Sequence, residues 1–311
     1  MEGLESIDEV SFEKYPFPYF CMDNYLSKDE CEVLIKEAVG SSGGDAIFMH
    51  GGRDSLGSLS PSFKKLLARS NTWAQLVKRL QSGDVVDLFL KYIRNECPDS
   101  YFSDWIRSRA FVISRIPTIT KLLPQYLLKK TQSASDKKVR FVTKKQMILS
   151  LVLAISNDLF RVLHGFINYV LGKRILALLF DYSVAKEGYA REVHRDSDAR
   201  VVVFLLYLND LEDSVKGGSL KIHGSKSEAQ FFDPRPADKD VEVIKEFRPK
   251  AGRLLMFLNT ANSYHSVEKM SRSEQGRHFL YGAYTLTTGF GSLALLKSSG
   301  RLPTEYNLYR E

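Results

Sequence analysis

The chain has 311 residues, 44% hydrophobic and 26% charged, with a formal net charge of +7 at pH 7. This composition is ordinary for a globular protein, and it excludes collagen-like and wholly disordered chains. The three scattered cysteines, Cys21, Cys31 and Cys97, form no CxxC pair. They predict neither a disulfide framework nor a structural zinc site, and they favour a reducing compartment.

The N-terminal sequence MEGLESIDEV lacks the basic-then-apolar start of a signal peptide. The most apolar stretch, residues 147–182, is interrupted by charged residues such as Asp158 and Arg161. No run of roughly 20 apolar residues is therefore left to span a membrane. We expect a cytoplasmic protein, with peripheral attachment to the inner face of the membrane as an open alternative.

The first half of the chain carries mostly helical signals. A short strand within Pro16–Leu26 leads into a capping box formed by Ser27 and Glu30, which predicts a helix to about Val39. Further helices are predicted to begin at three positions, namely Ser60-Pro61, Asn71 and Asp84. Residues 147–170 are also predicted to be helical, and residues 132–138 to form a polar loop.

Positive charge is concentrated between Lys121 and Lys145. Only one acid, Asp136, lies among eight basic residues: Lys121, Lys129, Lys130, Lys137, Lys138, Arg140, Lys144 and Lys145. One interpretation is a solvated loop. The other is a surface for an anionic partner such as phospholipid headgroups, a phosphorylated glycolipid or nucleic acid.

After residue 174 the signals change to short strands separated by turn residues. The apolar runs are RILALLFDY, ARVVVFLLYLND, GGSLKIHG, VEVIKEF, GRLLMFLN and GRHFLYGAYTL. Such spacing predicts an antiparallel sandwich or barrel. The predicted class is therefore α+β. Residues 1–173 would form a mostly helical region packed on a core of residues 174–290, with a C-terminal extension at 291–311, in a single compact domain.

The histidines offer one candidate metal site. His194 and Asp196 stand two apart in EVHRDSD, so in an extended segment both side chains face the same way. His265, in NSYHSV, could complete a set of three ligands. Two histidines and one carboxylate leave half an octahedron open, which suits non-heme Fe(II). We interpret His50, His164 and His223 as non-ligands.

An isolated HxD pair is a weak signal, but here it stands in a longer order of strands and turns. The order of HxD, Gly-Gly turn, second His and an Arg opening the last strand resembles the iron(II)/2-oxoglutarate oxygenases, in particular their prolyl 4-hydroxylase-like branch. The segments that carry the resemblance are YLND, GGSLKI, RPKAGRLLMF and FPYFCMDNYLSKDECEVLI. It covers residues 174–288, and more weakly residues 16–39.

The resemblance implies a fold, a ligand set and a cosubstrate. The fold would be a double-stranded β-helix, or jelly roll, supported by N-terminal helices. His194, Asp196 and His265 would hold Fe(II), and Arg277 would pair with the distal carboxylate of 2-oxoglutarate. Three further residues would contact the cosubstrate: Tyr182, Tyr207 and Val267. The reaction would also need O2, with ascorbate as an optional reductant.

Arg253 and Arg272 compete with Arg277 for the cosubstrate role. Arg272 lies in the polar loop SRSEQG and Arg253 follows a turn glycine, whereas Arg277 begins an alternating strand. A planar guanidinium suits a bidentate carboxylate clamp. His278, next to Arg277, is expected on the opposite face of the sheet.

The implied activity is hydroxylation of an unactivated C–H bond, coupled to decarboxylation of 2-oxoglutarate to succinate. The leading substrate hypothesis is a sugar or glycolipid of the bacterial envelope, such as the Kdo region of lipopolysaccharide. The alternative is a peptidyl-prolyl or other protein side chain, although Ala283 stands where prolyl hydroxylases often have a bulky aromatic residue. Nucleic acid is not expected as a partner, and the sequence does not indicate an oligomeric state.

Two other classes of protein stay open. Zinc binds sites of two histidines and one carboxylate, so a zinc hydrolase could use the same ligands. However, this sequence contains no HExxH motif, and a zinc hydrolase would give Arg277 no role. A non-catalytic jelly-roll binding module is the third reading.

Overall fold

The computed structural model describes residues 10–39, 52–58, 60–97, 111–114, 174–196, 200–226, 235–259 and 262–286. These residues form two mainly antiparallel sheets and four α-helices. The helices are α1 (Lys28–Val39), α2 (Pro61–Arg69), α3 (Asn71–Ser82) and α4 (Asp84–Glu96). The strands are β1 (Val10–Glu13), β2 (Tyr19–Met22), β3 (Arg53–Gly57), β4 (Phe111–Ser114), β5 (Arg174–Ala185), β6 (Arg191–His194), β7 (Arg200–Tyr207), β8 (Leu220–Ser225), β9 (Val241–Phe247), β10 (Leu254–Leu258), β11 (His265–Val267) and β12 (Arg277–Leu286).

The helices begin where their caps predict. The Ser27 hydroxyl accepts from the Glu30 backbone N–H at 3.1 Å, and the Glu30 carboxylate accepts from the Ser27 N–H at 2.9 Å. This reciprocal pair is the predicted capping box of α1. Ser60 caps α2 by accepting from the Phe63 N–H at 3.1 Å. The predicted helix starts at Asn71 and Asp84 are also confirmed.

The larger sheet has eight strands in the order β1-β2-β10-β7-β12-β5-β3, and β4 joins β5 in parallel. Strands β1 to β4 come from the N-terminal region, which was predicted to be mostly helical. That region therefore contributes strands to the core sheet as well as the helices that cover it. Residues 121–145, with their basic cluster, lie outside the described residues, as do the predicted loop at 132–138, the predicted helix at 147–170 and the extension at 291–311.

Strand β7 lies between the helices and the smaller sheet and is covered on both faces. Its residues from Val201 to Tyr207 are all buried. The side chains of Val202, Phe204 and Leu206 pack with the helices, whereas Val203 and Leu205 pack toward the smaller sheet. A strand covered on both faces has a continuous apolar run instead of an alternating one, as VVVFLLY does.

The smaller sheet has four strands in the order β6-β11-β8-β9. Leu220 and Ile222 of β8 and Val267 of β11 share the inter-sheet core with the β7 residues. Helices, large sheet and small sheet therefore form three successive layers, and the predicted antiparallel sandwich lies between the second and third. No helix among the described residues is long and apolar enough to cross a membrane.

A charged turn joins β10 to the N-terminal strands. Asp23, just after β2, accepts from Arg253 Nε at 2.6 Å and Nη2 at 2.9 Å, and from Lys250 Nζ at 2.8 Å. Gly252, between those two cations, has φ +77° and a Cβ there would meet the Leu26 carbonyl oxygen at 2.1 Å. The turn is therefore tightly packed and requires glycine at this position.

Replacing Asp23 with Asn is expected to lower the free energy of unfolding by about 1–3 kcal/mol at pH 7, because charge-assisted hydrogen bonds are lost. The bonds to Arg253 lower the pKa of Asp23 to about 2. A depressed folded-state pKa gives stability that is present above the unfolded pKa and lost as the pH falls through the folded one. Urea unfolding should show a constant difference between the two proteins above about pH 5, and a shrinking one from there toward pH 2. A difference that grows in acid would contradict this assignment.

Candidate metal centre

Three potential metal ligands meet between the two sheets. His194 is the last residue of β6 and pairs directly with His265, the first residue of β11, and their ring centroids lie 4.4 Å apart. Asp196 follows His194 by two residues. One ligand atom from each of the three side chains lies within 4.8 Å of the others.

Both imidazoles are oriented by backbone carbonyls. His194 Nδ1 lies 2.8 Å from the Glu192 carbonyl oxygen, and His265 Nδ1 lies 2.9 Å from that of Ser263. Each Nδ1–H therefore donates to a carbonyl, and the lone pair of each Nε2 remains for a metal. Metal-binding histidines usually have such a hydrogen bond on the second ring nitrogen.

The Asp196 carboxylate has one satisfied oxygen and one unsatisfied oxygen. Its Oδ1 accepts from the Tyr281 hydroxyl at 2.6 Å and from Arg200 Nη1 at 2.7 Å. Its Oδ2 is buried, has no hydrogen-bond donor among the described residues and lies 3.7 Å from His265 Nε2. Because a buried oxygen without a partner is costly, this atom fits a metal ligand well.

The electrostatics keep the three groups in metal-binding form. Burial lowers the pKa of His194 to about 4 and also lowers the pKa of His265. Burial alone would raise the pKa of Asp196, but the neighbouring His265 and Arg200 lower it below its ordinary value. Neutral imidazoles and an ionised carboxylate are the states that a divalent cation binds.

Arg277 is a buried cation next to these ligands. It opens β12 with 0% of its surface exposed, and it lines the same cavity as His194 and His265. Its Nη2 donates to the Tyr207 hydroxyl at 3.3 Å, while Nε and Nη1 have no acceptor among the described residues. A buried guanidinium with two unused donors is suited to bind a carboxylate in bidentate fashion.

The two competing arginines lie elsewhere. Arg253 is fully engaged in the turn, since it bonds Asp23 and donates from Nη1 to the Arg248 carbonyl oxygen at 3.0 Å. Arg272 is exposed in the loop before β12. Of the three candidates, only Arg277 lines the cavity.

Two of the three predicted cosubstrate contacts lie at the site and one does not. Tyr207 is bonded to Arg277, and Val267 lines the cavity. Tyr182 instead packs in the helix-facing core, where its hydroxyl lies 2.7 Å from His278 Nδ1. The prediction for Tyr182 was wrong for a geometric reason. It pairs with Leu280 of β12, so both face the helices, whereas Arg277 and Phe279 face the smaller sheet.

The other histidines play different parts. His278 points to the opposite face from Arg277, as expected. Its Nε2–H donates to the Gln275 carbonyl oxygen, and its Nδ1 accepts from the Tyr182 hydroxyl. His223 is buried with its Nε2 at 2.7 Å from the Ser266 hydroxyl, and it is not among the grouped ligands. His50 and His164 lie outside the described residues.

Sequence reasoning missed several residues of the cavity. Arg53, Tyr189, Arg191 and Tyr281 line it. Tyr281 could have been found, because it shares the alternating face of Arg277 and Phe279. Arg53 comes from β3, a strand that no pattern predicted, and nothing in the sequence links it to the site.

Non-heme iron oxygenases bind their metal with two histidines and one carboxylate and leave positions open. Here Arg277 lies beside such a set as a buried cation that can bind a carboxylate. Residues 179–284, which contain the three ligands and Arg277, match the family model of the 2OG-Fe(II) oxygenase superfamily. A comparison with curated proteins found no match.

Several solved structures are similar to the chain at low identity. A prolyl-4-hydroxylase from Pseudomonas putida is 16% identical with a TM-score of 0.39, over 86% of this chain and 92% of that one. A structure of prolyl 4-hydroxylases from Phytophthora capsici is 12% identical with a TM-score of 0.37, over 88% and 61%. IDO from Bacillus thuringiensis is 18% identical with a TM-score of 0.24, over 35% and 45%. Likeness at this level carries no information on substrate.

The family uses Fe(II), 2-oxoglutarate and O2, and the grouped His, Asp and His side chains fit that iron. Residues 179–284 are therefore a 2OG-Fe(II) oxygenase domain, and the domains of that superfamily are iron(II)- and 2-oxoglutarate-dependent dioxygenases.

Proposed function

We propose that this dioxygenase hydroxylates an unactivated C–H bond of its substrate. The observation that carries the proposal is the pairing of two unsatisfied buried groups in one site, the Oδ2 of Asp196 and the Nε and Nη1 of Arg277. Iron would satisfy the first group, and the distal carboxylate of 2-oxoglutarate would satisfy the second. We also propose that the two sheets are those of a double-stranded β-helix.

Each side chain then has a defined task. His194, Asp196 and His265 hold Fe(II), which supplies O2 activation when 2-oxoglutarate and substrate are bound. Arg277, with the Tyr207 hydroxyl beside its guanidinium, would hold the cosubstrate, and Val267 would give it an apolar wall. In balance, substrate C–H, O2 and 2-oxoglutarate give an alcohol, succinate and CO2. Leu205, Leu220, Val267 and Phe279 give the cavity an apolar side next to these groups.

For the substrate we propose a sugar or glycolipid of the bacterial envelope, such as the Kdo region of lipopolysaccharide, reached from the cytoplasmic face of the membrane. The support is the basic sequence from Lys121 to Lys145, since each basic residue near an anionic membrane contributes about 1 kcal/mol. A peptidyl-prolyl or other protein side chain is the alternative substrate.

The test is substrate-stimulated succinate formation by the iron-loaded protein, measured across glycolipids, proline-containing peptides and free amino acids. Stimulation by an envelope glycolipid, with one hydroxylation per succinate, would support the proposal. Stimulation by peptides alone would show that the substrate is a protein side chain and not a glycolipid. Succinate formation that never depends on Fe(II), or a hydrolytic product formed with zinc, would contradict the oxygenase assignment.

A matched pair of tyrosine variants tests the geometry of the cosubstrate site. Tyr207→Phe should raise the 2-oxoglutarate requirement about three- to tenfold, because the hydroxyl that contacts Arg277 is worth about 1 kcal/mol. Tyr182→Phe should leave that requirement unchanged and lower only the free energy of unfolding, by about 0.5–1.5 kcal/mol. Steady-state kinetics and urea unfolding measure both. A raised 2-oxoglutarate requirement in Tyr182→Phe, with no change in Tyr207→Phe, would show that Tyr182 and not Tyr207 contacts the cosubstrate.

A further inference from the structure

A second group of arginines lines the cavity that holds the ligands. Arg53 of β3 and Arg191 of β6 lie there together with Arg277, and apart from the ligand Asp196 no Asp or Glu is among the residues that the structure describes at this cavity. The proposed function uses Arg277 for the cosubstrate. It leaves Arg53 and Arg191 without a task.

A β-bulge brings Arg191 into the cavity. On β11, His265 pairs with His194 and Val267 pairs with Arg191, so three steps along β6 oppose two steps along β11. In a regular strand, residues three apart face opposite sides of the sheet. The extra residue of the bulge changes the direction of the side chains that follow it, so both Arg191 and His194 face the cavity. Bulges of this kind are frequent beside active sites.

Arg53 is held in place without a full charge partner. Its Nε donates to the buried hydroxyls of Ser55 and Ser183, at 2.9 Å and 3.0 Å. Its guanidinium carbon lies 5.3 Å from the centre of the Phe279 ring. The nearest carboxylate, that of Asp181, lies 3.7 Å from Nη2. The backbone of Arg191 pairs with Val267, whereas its guanidinium has no hydrogen bond or ion pair with the residues that the structure describes.

The charges of the loaded centre do not offset these arginines. The two positive charges of Fe(II) and that of Arg277 balance Asp196 and the two carboxylates of 2-oxoglutarate. Of the two other arginines that line the cavity, Arg53 lies near the carboxylate of Asp181, and Arg191 has no such carboxylate among the described residues. An excess of positive charge therefore remains in the cavity, and it favours a negatively charged ligand.

We propose that Arg191, with Arg53 beside it, binds an anionic group of the primary substrate, either a carboxylate or a phosphate. The guanidinium fork suits both groups, since it can donate two parallel hydrogen bonds. This inference rests on the proposed function, because it assumes that iron and 2-oxoglutarate occupy the rest of the cavity. It narrows the substrate to molecules that carry such a group close to the bond to be hydroxylated.

Paramagnetic NMR on the full chain tests the proposal without a known substrate. The iron site is filled with Mn(II) and the protein is saturated with 2-oxoglutarate, so that Arg277 is occupied. Inorganic phosphate and acetate are then titrated as separate probes, with neutral acetamide for comparison. Phosphorus or methyl relaxation by the metal reports binding within the cavity. Failure of the wild-type protein to bind 2-oxoglutarate would be seen first, and it would contradict the proposed function instead.

Saturable relaxation of phosphate, acetate or both is expected in the wild-type protein. Arg191→Gln should weaken it at least about tenfold, and Arg191→Lys less, while 2-oxoglutarate affinity stays within about twofold and reports an intact site. The control is Arg272→Gln, which removes the same charge outside the cavity and should change nothing. The stronger of the two probes identifies the anionic group. No saturable relaxation in the wild-type protein, or equal relaxation in Arg191→Gln, would overturn the proposal.

Discussion

Removing one metal ligand is expected to abolish iron-dependent turnover. In His265→Ala or Asp196→Ala, succinate formation should fall at least about a hundredfold, because loss of groups that merely support ligands already costs 10–100-fold. His194→Ala should behave in the same way. The measurement is succinate formed per protein at saturating Fe(II) and 2-oxoglutarate, with metal content determined in parallel.

The buried position of Asp196 requires a second variant. Asp196→Ala also removes the acceptor of the Tyr281 and Arg200 hydrogen bonds, so some loss of stability is expected. Asp196→Asn keeps an oxygen at that position and should lose iron while melting close to the wild-type protein. Asp213→Ala, which changes an exposed carboxylate, should have no effect. Full activity in any one ligand variant would remove that residue from the set.

Loss of Arg277 is expected to weaken 2-oxoglutarate binding selectively. Its guanidinium is fully buried, and breaking a buried charge pair by removing one partner costs about 3–5 kcal/mol. Arg277→Ala should therefore raise the concentration of 2-oxoglutarate needed for half-maximal rate at least about tenfold. Iron binding should persist, because none of the three ligands is changed.

The competing arginines provide the controls for this prediction. Arg272→Ala should leave the 2-oxoglutarate requirement unchanged, since its side chain is exposed. Arg253→Ala should lower the free energy of unfolding, because it breaks the turn with Asp23, and otherwise leave the requirement near the wild-type value. An unchanged requirement in Arg277→Ala, with a large increase in either control, would reassign the role.

Local signals predicted the elements well. The capping box of Ser27 and Glu30 and the cap at Ser60 each involve residues a few positions apart, so the sequence contains the whole interaction. The continuous apolar run of β7 likewise indicated a buried strand. Strand β3 could not be predicted in this way, because RDSLG has little apolar pattern and is held by pairing with β5.

At the site, the sequence could not predict that Tyr207 lies on the cavity side of the sheet and Tyr182 on the helix side. Both tyrosines end apolar runs, and which face each occupies depends on register with β12. Phe279 pairs with Tyr207, whereas Leu280 pairs with Tyr182, and a shift of one residue would exchange the two. Arg191 was missed for a related reason, since only the bulge places it on the same side as His194.

The most direct test of the central assignment is an anaerobic titration of the metal-free chain with Fe(II) and then with 2-oxoglutarate, followed by visible absorption. Chelation of bound Fe(II) by the cosubstrate gives a charge-transfer band that neither component gives alone. We predict a band that saturates with one iron and one 2-oxoglutarate per chain, requires much more 2-oxoglutarate in Arg277→Ala, and is absent in His265→Ala. A protein that gives no band, or the same band in both variants, would contradict the assignment of these residues to an iron and 2-oxoglutarate site.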